Sequence, residues 1–184
     1  MAEIRLTAAP ILGADLSIGE NTIRERDNLA IVSVATPLGE EQALTDALKD
    51  GWGLTTPVAT MSETAGEVRA IRTTPDQILM LFPHAAPDAN AVVQSKLSGA
   101  GYTTDQTDVW IVLELSGPDT LPALERLCPL DVHGMSDGAS ARTVMEHMGA
   151  LILRLGPDRF WLLSASSSAR SFLHAVETSY HNVS

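Results

Sequence analysis

The chain has 184 residues, 45% of them hydrophobic and 4% aromatic, and its 23 acidic side chains against 12 basic ones give a formal net charge of −11. That length and apolar content suit one packed domain, or two small halves sharing a core, and argue against disorder. The charge repels phosphate backbones, so neither nucleic acid nor an anionic membrane is an expected partner.

Residues 1–28, MAEIRLTAAPILGADLSIGENTIRERDN, have no sustained period and lack the basic-then-apolar pattern of a secretion signal. Their scattered apolar residues, among them Ile4, Leu6, Ile11, Leu12 and Ile23, are too many for a free tail. The expectation is an extended arm laid against a partner, with Ile4, Leu6, Ile11 and Leu12 as candidate interface residues; the blander reading wraps the arm on its own domain. Next comes AIVSVA, a strand-sized run that breaks at Pro37 before helical spacing at Ala43, Leu44, Ala47 and Leu48. Pro75-Asp76 then marks a tight turn before a strand from Ile78 to Phe82, and Pro87-Asp88 opens a helix over ANAVVQSKL.

The same order returns downstream. The strand WIVLEL breaks at Gly117-Pro118 ahead of Leu121, Leu124 and Leu127 in a helix. Pro157-Asp158 marks a turn, Phe160 to Leu163 a strand, and the serines of SASSSARS the start of a helix over FLHAVETS. The two Pro-Asp pairs are 157 − 75 = 82 positions apart; Pro37 precedes its turn by 75 − 37 = 38 positions, and Pro118 by 157 − 118 = 39. Each half reads strand, helix, strand, strand, helix. The predicted fold is α+β: a two-layer sandwich with a mostly antiparallel sheet, formed by one domain (29–184) of two similar halves, 29–101 and 105–184. No apolar run approaches the roughly 18 residues needed to span a bilayer.

No constellation of residues specifies a reaction. The single cysteine, Cys128, cannot form an internal disulfide, the usage expected in a reducing cytoplasm. Cys128, Asp131 and His133 lie close in sequence but lack the paired spacing that fixes zinc geometry, and the thiol reads as a packed residue. His84, His147, His174 and His181 are dispersed. Glu146 and His147 are neighbours in the strand-like ARTVMEHMG, where adjacent side chains would point to opposite faces. Gly51-Trp52-Gly53 does not continue into a nucleotide-binding loop. No metal and no cofactor is expected on this chain.

DVWIVLELSGPDTLPALERLCPLDVH and ARTVMEHMGALILRLGPDRFWLLSASSSARSFLHAVETS together resemble the gamma subunit of bacterial heterotetrameric sarcosine oxidase, and VSVATPLGEEQALTDAL extends the likeness more loosely toward the N-terminus. The resemblance implies a cytoplasmic complex that oxidatively demethylates sarcosine to glycine and passes the one-carbon unit to tetrahydrofolate. Its alpha, beta and delta subunits would be this chain's partners and would carry the NAD, FAD, FMN and tetrahydrofolate. The same segment is similar, more distantly, to the folate-dependent aminomethyltransferases, the glycine-cleavage T-proteins. The matching stretches are Ser116-Gly117-Pro118-Asp119, Leu130-Asp131-Val132 and Phe160-Trp161-Leu162-Leu163. Where the transferases carry a glycine-rich turn with paired aspartates, this chain runs MEHMGALILRLG, with Gly149 alone and no acidic pair. The resemblance therefore implies a non-catalytic structural subunit, with Arg142, Thr143, Glu146 and His147 as further candidate interface residues. The alternative is a folate-binding or one-carbon transferase module acting on its own.

Overall fold

The computed structural model describes residues 9–184. In chain order these form β1 (Asp15–Ile18), β2 (Asn21–Glu25), β3 (Leu29–Ala35), α1 (Glu41–Trp52), β4 (Ser62–Ala65), β5 (Val68–Thr74), β6 (Gln77–Pro83), α2 (Ala89–Leu97), β7 (Tyr102–Asp105), β8 (Trp110–Ser116), α3 (Thr120–Leu127), β9 (Ser140–Met145), β10 (Met148–Gly156), β11 (Arg159–Ala165) and α4 (Ala169–His181). They fall into two compact units. One comprises 27–59 and 63–107; the other comprises 11–26, 60–62 and 108–184.

Each unit has its own sheet and its own pair of helices. In the first, the strand order is β4-β5-β6-β3-β7; in the second it is β9-β10-β11-β8-β2-β1. The pairings among β3, β5, β6 and β7, and all those of the second sheet, are antiparallel. The second sheet thus repeats the first strand for strand, β4 matching β9 and β3 matching β8, but the strand beyond that match has a different origin. Beside β3 lies β7, which follows the unit's helices; beside β8 lies β2, which with β1 precedes everything else in its unit.

The cores follow from the alternation of strand side chains and the spacing of helix apolar residues. In the first unit Ala30, Val32, Val34, Ile78 and Met80 face Leu44 and Leu48 of α1 and Val93 and Leu97 of α2. In the second, Ile111, Leu113, Leu115, Ile152, Phe160 and Leu162 meet Leu124 and Leu127 of α3 and Phe172, Val176 and Tyr180 of α4. The opposite faces are also buried at Ile31, Ile71, Leu79 and Leu81, and at Val112, Leu151, Leu153 and Leu163. Burial on both faces is why the central strands read as continuous apolar runs.

The 82-residue repeat is physically expressed at its two turns. Pro75-Asp76 and Pro157-Asp158 link β5 to β6 and β10 to β11, and each hairpin carries a register shift just before its turn, at Arg72/Thr74 and at Arg154/Gly156. The arginine at each shift turns its guanidinium onto main-chain carbonyls. Arg154 donates to Gly156 at 3.1 Å, Pro157 at 3.1 Å, Val132 at 3.2 Å, His133 at 3.3 Å and Met135 at 2.8 Å. Arg72 donates to Thr74 at 3.0 Å, Pro57 at 3.3 Å and Pro75. Since 154 − 72 is again 82, each arginine fastens its hairpin to the loop after its unit's first helix.

Residues 15–25 depart from the expected extended arm. They form the β1–β2 hairpin and pair with β8 of the chain's own second sheet, because Ile23 is fully buried there and Leu16 and Ile18 pack on the same core. The carboxylate of Glu25, itself buried, accepts main-chain N–H groups from Ile11 at 2.6 Å, Leu12 at 2.9 Å and Gly13 at 2.6 Å, tying down the stretch before β1. The hairpin's Asn21 accepts the Asp119 N–H at 2.9 Å and donates to the Asp119 carboxylate at 2.8 Å. This approach requires Gly117, whose φ is +130° and whose Cβ, if present, would lie 2.7 Å from the Asn21 Cα. Two further strands, β4 and β9, precede the hairpins, so the repeated part of each unit reads β-α-β-β-β-α rather than the predicted five elements. The serine-rich start of α4 is placed as expected, but a 3-10 turn over Ser166–Ser168 precedes the helix, and the Ser168 hydroxyl donates back to Ala165 rather than capping it.

Tyr180 of α4 and Thr120 of α3 share a buried hydroxyl pair at 2.8 Å. Burial pushes the Tyr180 phenol up to about 12; the Thr120 hydrogen bond opposes that shift and the Asp119 charge adds to it. The folded state thus holds this proton more tightly than an unfolded chain, whose tyrosine titrates near pH 10. The pair's stabilisation is intact below about pH 10 and lost as pH rises toward 12. Relative to Tyr180→Phe, wild type should lose up to about 2–3 kcal/mol across that window, measured by urea unfolding. Arg154→Met should cost about 3 kcal/mol in the same assay, because its side chain is only 12% exposed and its five carbonyl partners lose a charged donor. Arg72→Met, with fewer partners, should cost about half as much.

Candidate functional site

The expected interface residues lie in separate places. Ile4 and Leu6 are outside the described residues. Ile11, 40% exposed, and Leu12, half-buried on the second core, sit in the stretch held by Glu25. Arg142 and Thr143 lie on β9, an edge strand whose register runs without a shift from Ser140↔Leu153 to Met145↔Met148. Thr143 shares the core side with Ala141 and Met145, whereas Arg142 and Val144 take the other face; Arg142 is exposed and Val144 is 53% exposed.

Glu146 and His147 are not strand residues. They form the two-residue turn between β9 and β10, with φ of +46° and +68°. Two successive left-handed residues are the signature of a type I′ turn, whose twist matches the flanking strands and which normally uses Asn-Gly. A side chain with a full Cβ costs about 1 kcal/mol there. The turn places an exposed carboxylate and an exposed imidazole at the end of the β9–β10 hairpin. The turn, the end of α3 and α4 border an open groove of ≈ 380 Å³, lined among others by Arg126, Glu146, Met148, His174 and Asn182. Sequence spacing could not have joined these residues, since 20 to 36 positions separate Glu146 from Arg126, His174 and Asn182 (146 − 126 and 182 − 146).

A second polar cluster has no sequence signal at all. Glu114 of β8 accepts Arg26 Nη1 at 2.7 Å, Trp161 Nε1 at 2.7 Å and Arg159 Nε at 3.1 Å. The Arg26 guanidinium also lies 5.4 Å from the Trp161 ring centre. Burial pushes the Glu114 carboxyl upward, but the hydrogen bonds from Trp161 and Arg26 and the charges of Arg159 and Arg26 outweigh it and hold the group below its usual range. With its oxygens occupied, Glu114 ties β8 to β11 and to Arg26 just after β2, and has no proton to trade at neutral pH.

Cys128, Asp131 and His133 do not converge. The buried thiol donates to the Leu124 carbonyl at 3.5 Å, and burial raises its pKa despite a main-chain hydrogen bond at Leu130, which disfavours the reactive thiolate. Asp131 accepts the Gly134 N–H at 3.0 Å, and His133 faces Glu125 at 3.1 Å. Among the described residues no group of three or more His, Cys, Asp or Glu side chains is placed to hold a metal. Replacing the strained turn should relieve it: Glu146→Asn with His147→Gly is expected to raise unfolding stability by about 1–2 kcal/mol in urea titration.

No protein-family model matches the chain. The sarcosine oxidase subunit gamma of Corynebacterium sp. (strain P-1) is 27% identical over 134 residues, covering 72% of this chain and 65% of that relative's length. A chain of the heterotetrameric sarcosine oxidase from Corynebacterium sp. U-96, solved in complex with pyrrole 2-carboxylate, superposes with a TM-score of 0.81 at 20% identity, covering 98% of this chain and 97% of that one. The glycine cleavage system aminomethyltransferase T from Bartonella henselae superposes with a TM-score of 0.62 at 13% identity, covering 85% of this chain but 45% of the transferase. The chain is thus similar in sequence to a sarcosine oxidase gamma subunit, and its fold is that of a sarcosine oxidase chain and of part of an aminomethyltransferase.

Proposed function

We propose that this chain is a non-catalytic structural subunit of a heterotetrameric sarcosine oxidase. In that reading the complex demethylates sarcosine to glycine and transfers the one-carbon unit to tetrahydrofolate. NAD, FAD, FMN and tetrahydrofolate are held by alpha, beta and delta partners in the cytoplasm. The observation that carries the proposal is the 27% identity to a gamma subunit, supported by a fold match that runs nearly end to end in both chains. Local chemistry supports the non-catalytic part: the one thiol is buried and disfavoured as thiolate, and the Glu114 carboxylate is fully engaged. The β9–β10 rim, with Arg142, Thr143, Glu146 and His147, is the proposed contact with the larger subunits, because a strained turn kept in place of Asn-Gly implies use. Ile11 and Leu12 are a second proposed contact.

The likeness to an aminomethyltransferase favours one other reading, a folate-binding module active on its own. A tetrahydrofolate titration of the isolated chain separates the two. Saturable micromolar binding supports the module, and its absence together with co-purification of the other subunits supports the scaffold. On the scaffold reading, the Glu146→Asn/His147→Gly variant is the better-folded protein, yet it should join the complex at least tenfold more weakly in a pull-down titration. Equal affinity would remove the rim from the interface.

A further inference from the structure

The two units can be compared as one structure is with another, and they differ at the arginine each is fastened by. In the second unit Arg154 has a carboxylate alongside, Asp137 at 3.6 Å, and the loop it grips buries Val132 in the core. At the start of that unit's first helix, Asn21 accepts the N–H of the N-cap residue Asp119. The carboxylate is not repeated in the first unit: among the described residues, Arg72 has none within ion-pair distance. At the start of α1 the N-cap residue Glu40 donates its N–H to the Pro37 carbonyl instead, and, as in α3, no side chain caps the helix.

Arg72 and Glu41, the first residue of α1, both line one cavity of ≈ 400 Å³, with Thr36, Thr56 and Val58 among its other lining residues. Here the gripped loop is shorter, nine residues (53–61) against twelve (128–139) in the other unit, and it leaves Val58 68% exposed where its counterpart buries Val132. The loop joining Thr36 to Glu41 carries Leu38, fully exposed at 101%. A half-buried guanidinium and the free first-turn amides of a twelve-residue helix both favour an anion. Val58, exposed in the lining, and Leu38, exposed in the loop between the lining residues Thr36 and Glu41, have the composition of an interface with a charged anchor and an apolar border.

We propose that this cavity receives an acidic side chain of a partner polypeptide, whose carboxylate takes toward Arg72 the place Asp137 takes toward Arg154, while Val58 and Leu38 pack against its neighbours. A carboxylate suits Arg72 because its guanidinium is permanently charged and carries more N–H donors than the three carbonyls it meets. The partner is one of the larger subunits, so this inference rests on the assembly reading above. Among the described residues Glu41 is the one acidic group lining the cavity, and it opposes the incoming charge.

The test leaves Arg72 in place, because it also fastens the β5–β6 hairpin, and changes only exposed residues. Binding of the full chain to the remaining oxidase subunits would be titrated for Val58→Asp, Val58→Lys, Leu38→Asp, Leu38→Lys and Glu41→Gln. The expected result depends on sign. The two aspartate variants weaken binding at least tenfold, the lysine variants stay within about threefold of wild type, and Glu41→Gln binds more tightly, with all differences shrinking at high salt. If Asp and Lys variants weaken binding equally, the contact is apolar only and the carboxylate is refuted; if none changes, the cavity is not an interface. A wild-type chain that fails to join the other subunits overturns the assembly reading itself, and this inference with it.

Discussion

Arg154 reaches from the bulge of the β10–β11 hairpin into a loop that has no regular structure of its own, and its protons satisfy the carbonyls of Val132, His133 and Met135 that the loop leaves without partners. Main-chain carbonyls removed from water are costly to leave unmet, and a planar, permanently charged fork can meet several at once. Arg72 performs the same task 82 residues earlier with fewer partners. The hairpin turn, the bulge before it and the helix-to-strand loop are held in a fixed relation by one side chain per unit. The rims proposed as contacts are the Glu146-His147 turn, which precedes the β10–β11 hairpin, and Val58, beside the gripped Pro57.

Repetition explains why so much of the architecture was legible. The Pro-Asp turns, the apolar runs AIVSVA and WIVLEL and the helix over ANAVVQSKL carry local signals that the fold obeys, and their common spacing identified two similar halves. What escaped was whatever lacks such a signal. β4 and β7, reading SETA and YTTD, are short edge strands without an apolar alternation. The β1–β2 hairpin read as an extended arm because Ile23 is its one buried apolar residue, and its partner strand lies about ninety residues away (113 − 25 = 88 at one end of the pairing). Glu146-His147 looked like strand because neither residue advertises a left-handed turn.

The candidate site was legible only in part, and for a related reason. Glu146 was picked out, but its groove neighbours Arg126 and His174 come from two helices that the sequence gives no cause to bring together. The Glu114 cluster draws on two strands and on Arg26 outside any strand, and the two arginine clamps become visible only when the 82-residue offset is applied to residues other than Pro-Asp. Sequence likeness supplied what local physics could not. The match to a gamma subunit points to assembly, and residues selected for contact with other chains leave no mark in a chain's own periodicity.

The account makes this chain a scaffold that is already folded when it meets its partners, with contact confined to rims and the two cores unchanged. Hydrogen exchange measured on the isolated chain and again within the reconstituted oxidase tests that directly. The predicted result is added protection over the β9–β10 turn and the Pro57–Ala59 loop, with core strands β3, β6, β8 and β11 equally protected in both states. Core strands that become protected only in the complex, or rims that exchange identically in both, would contradict it.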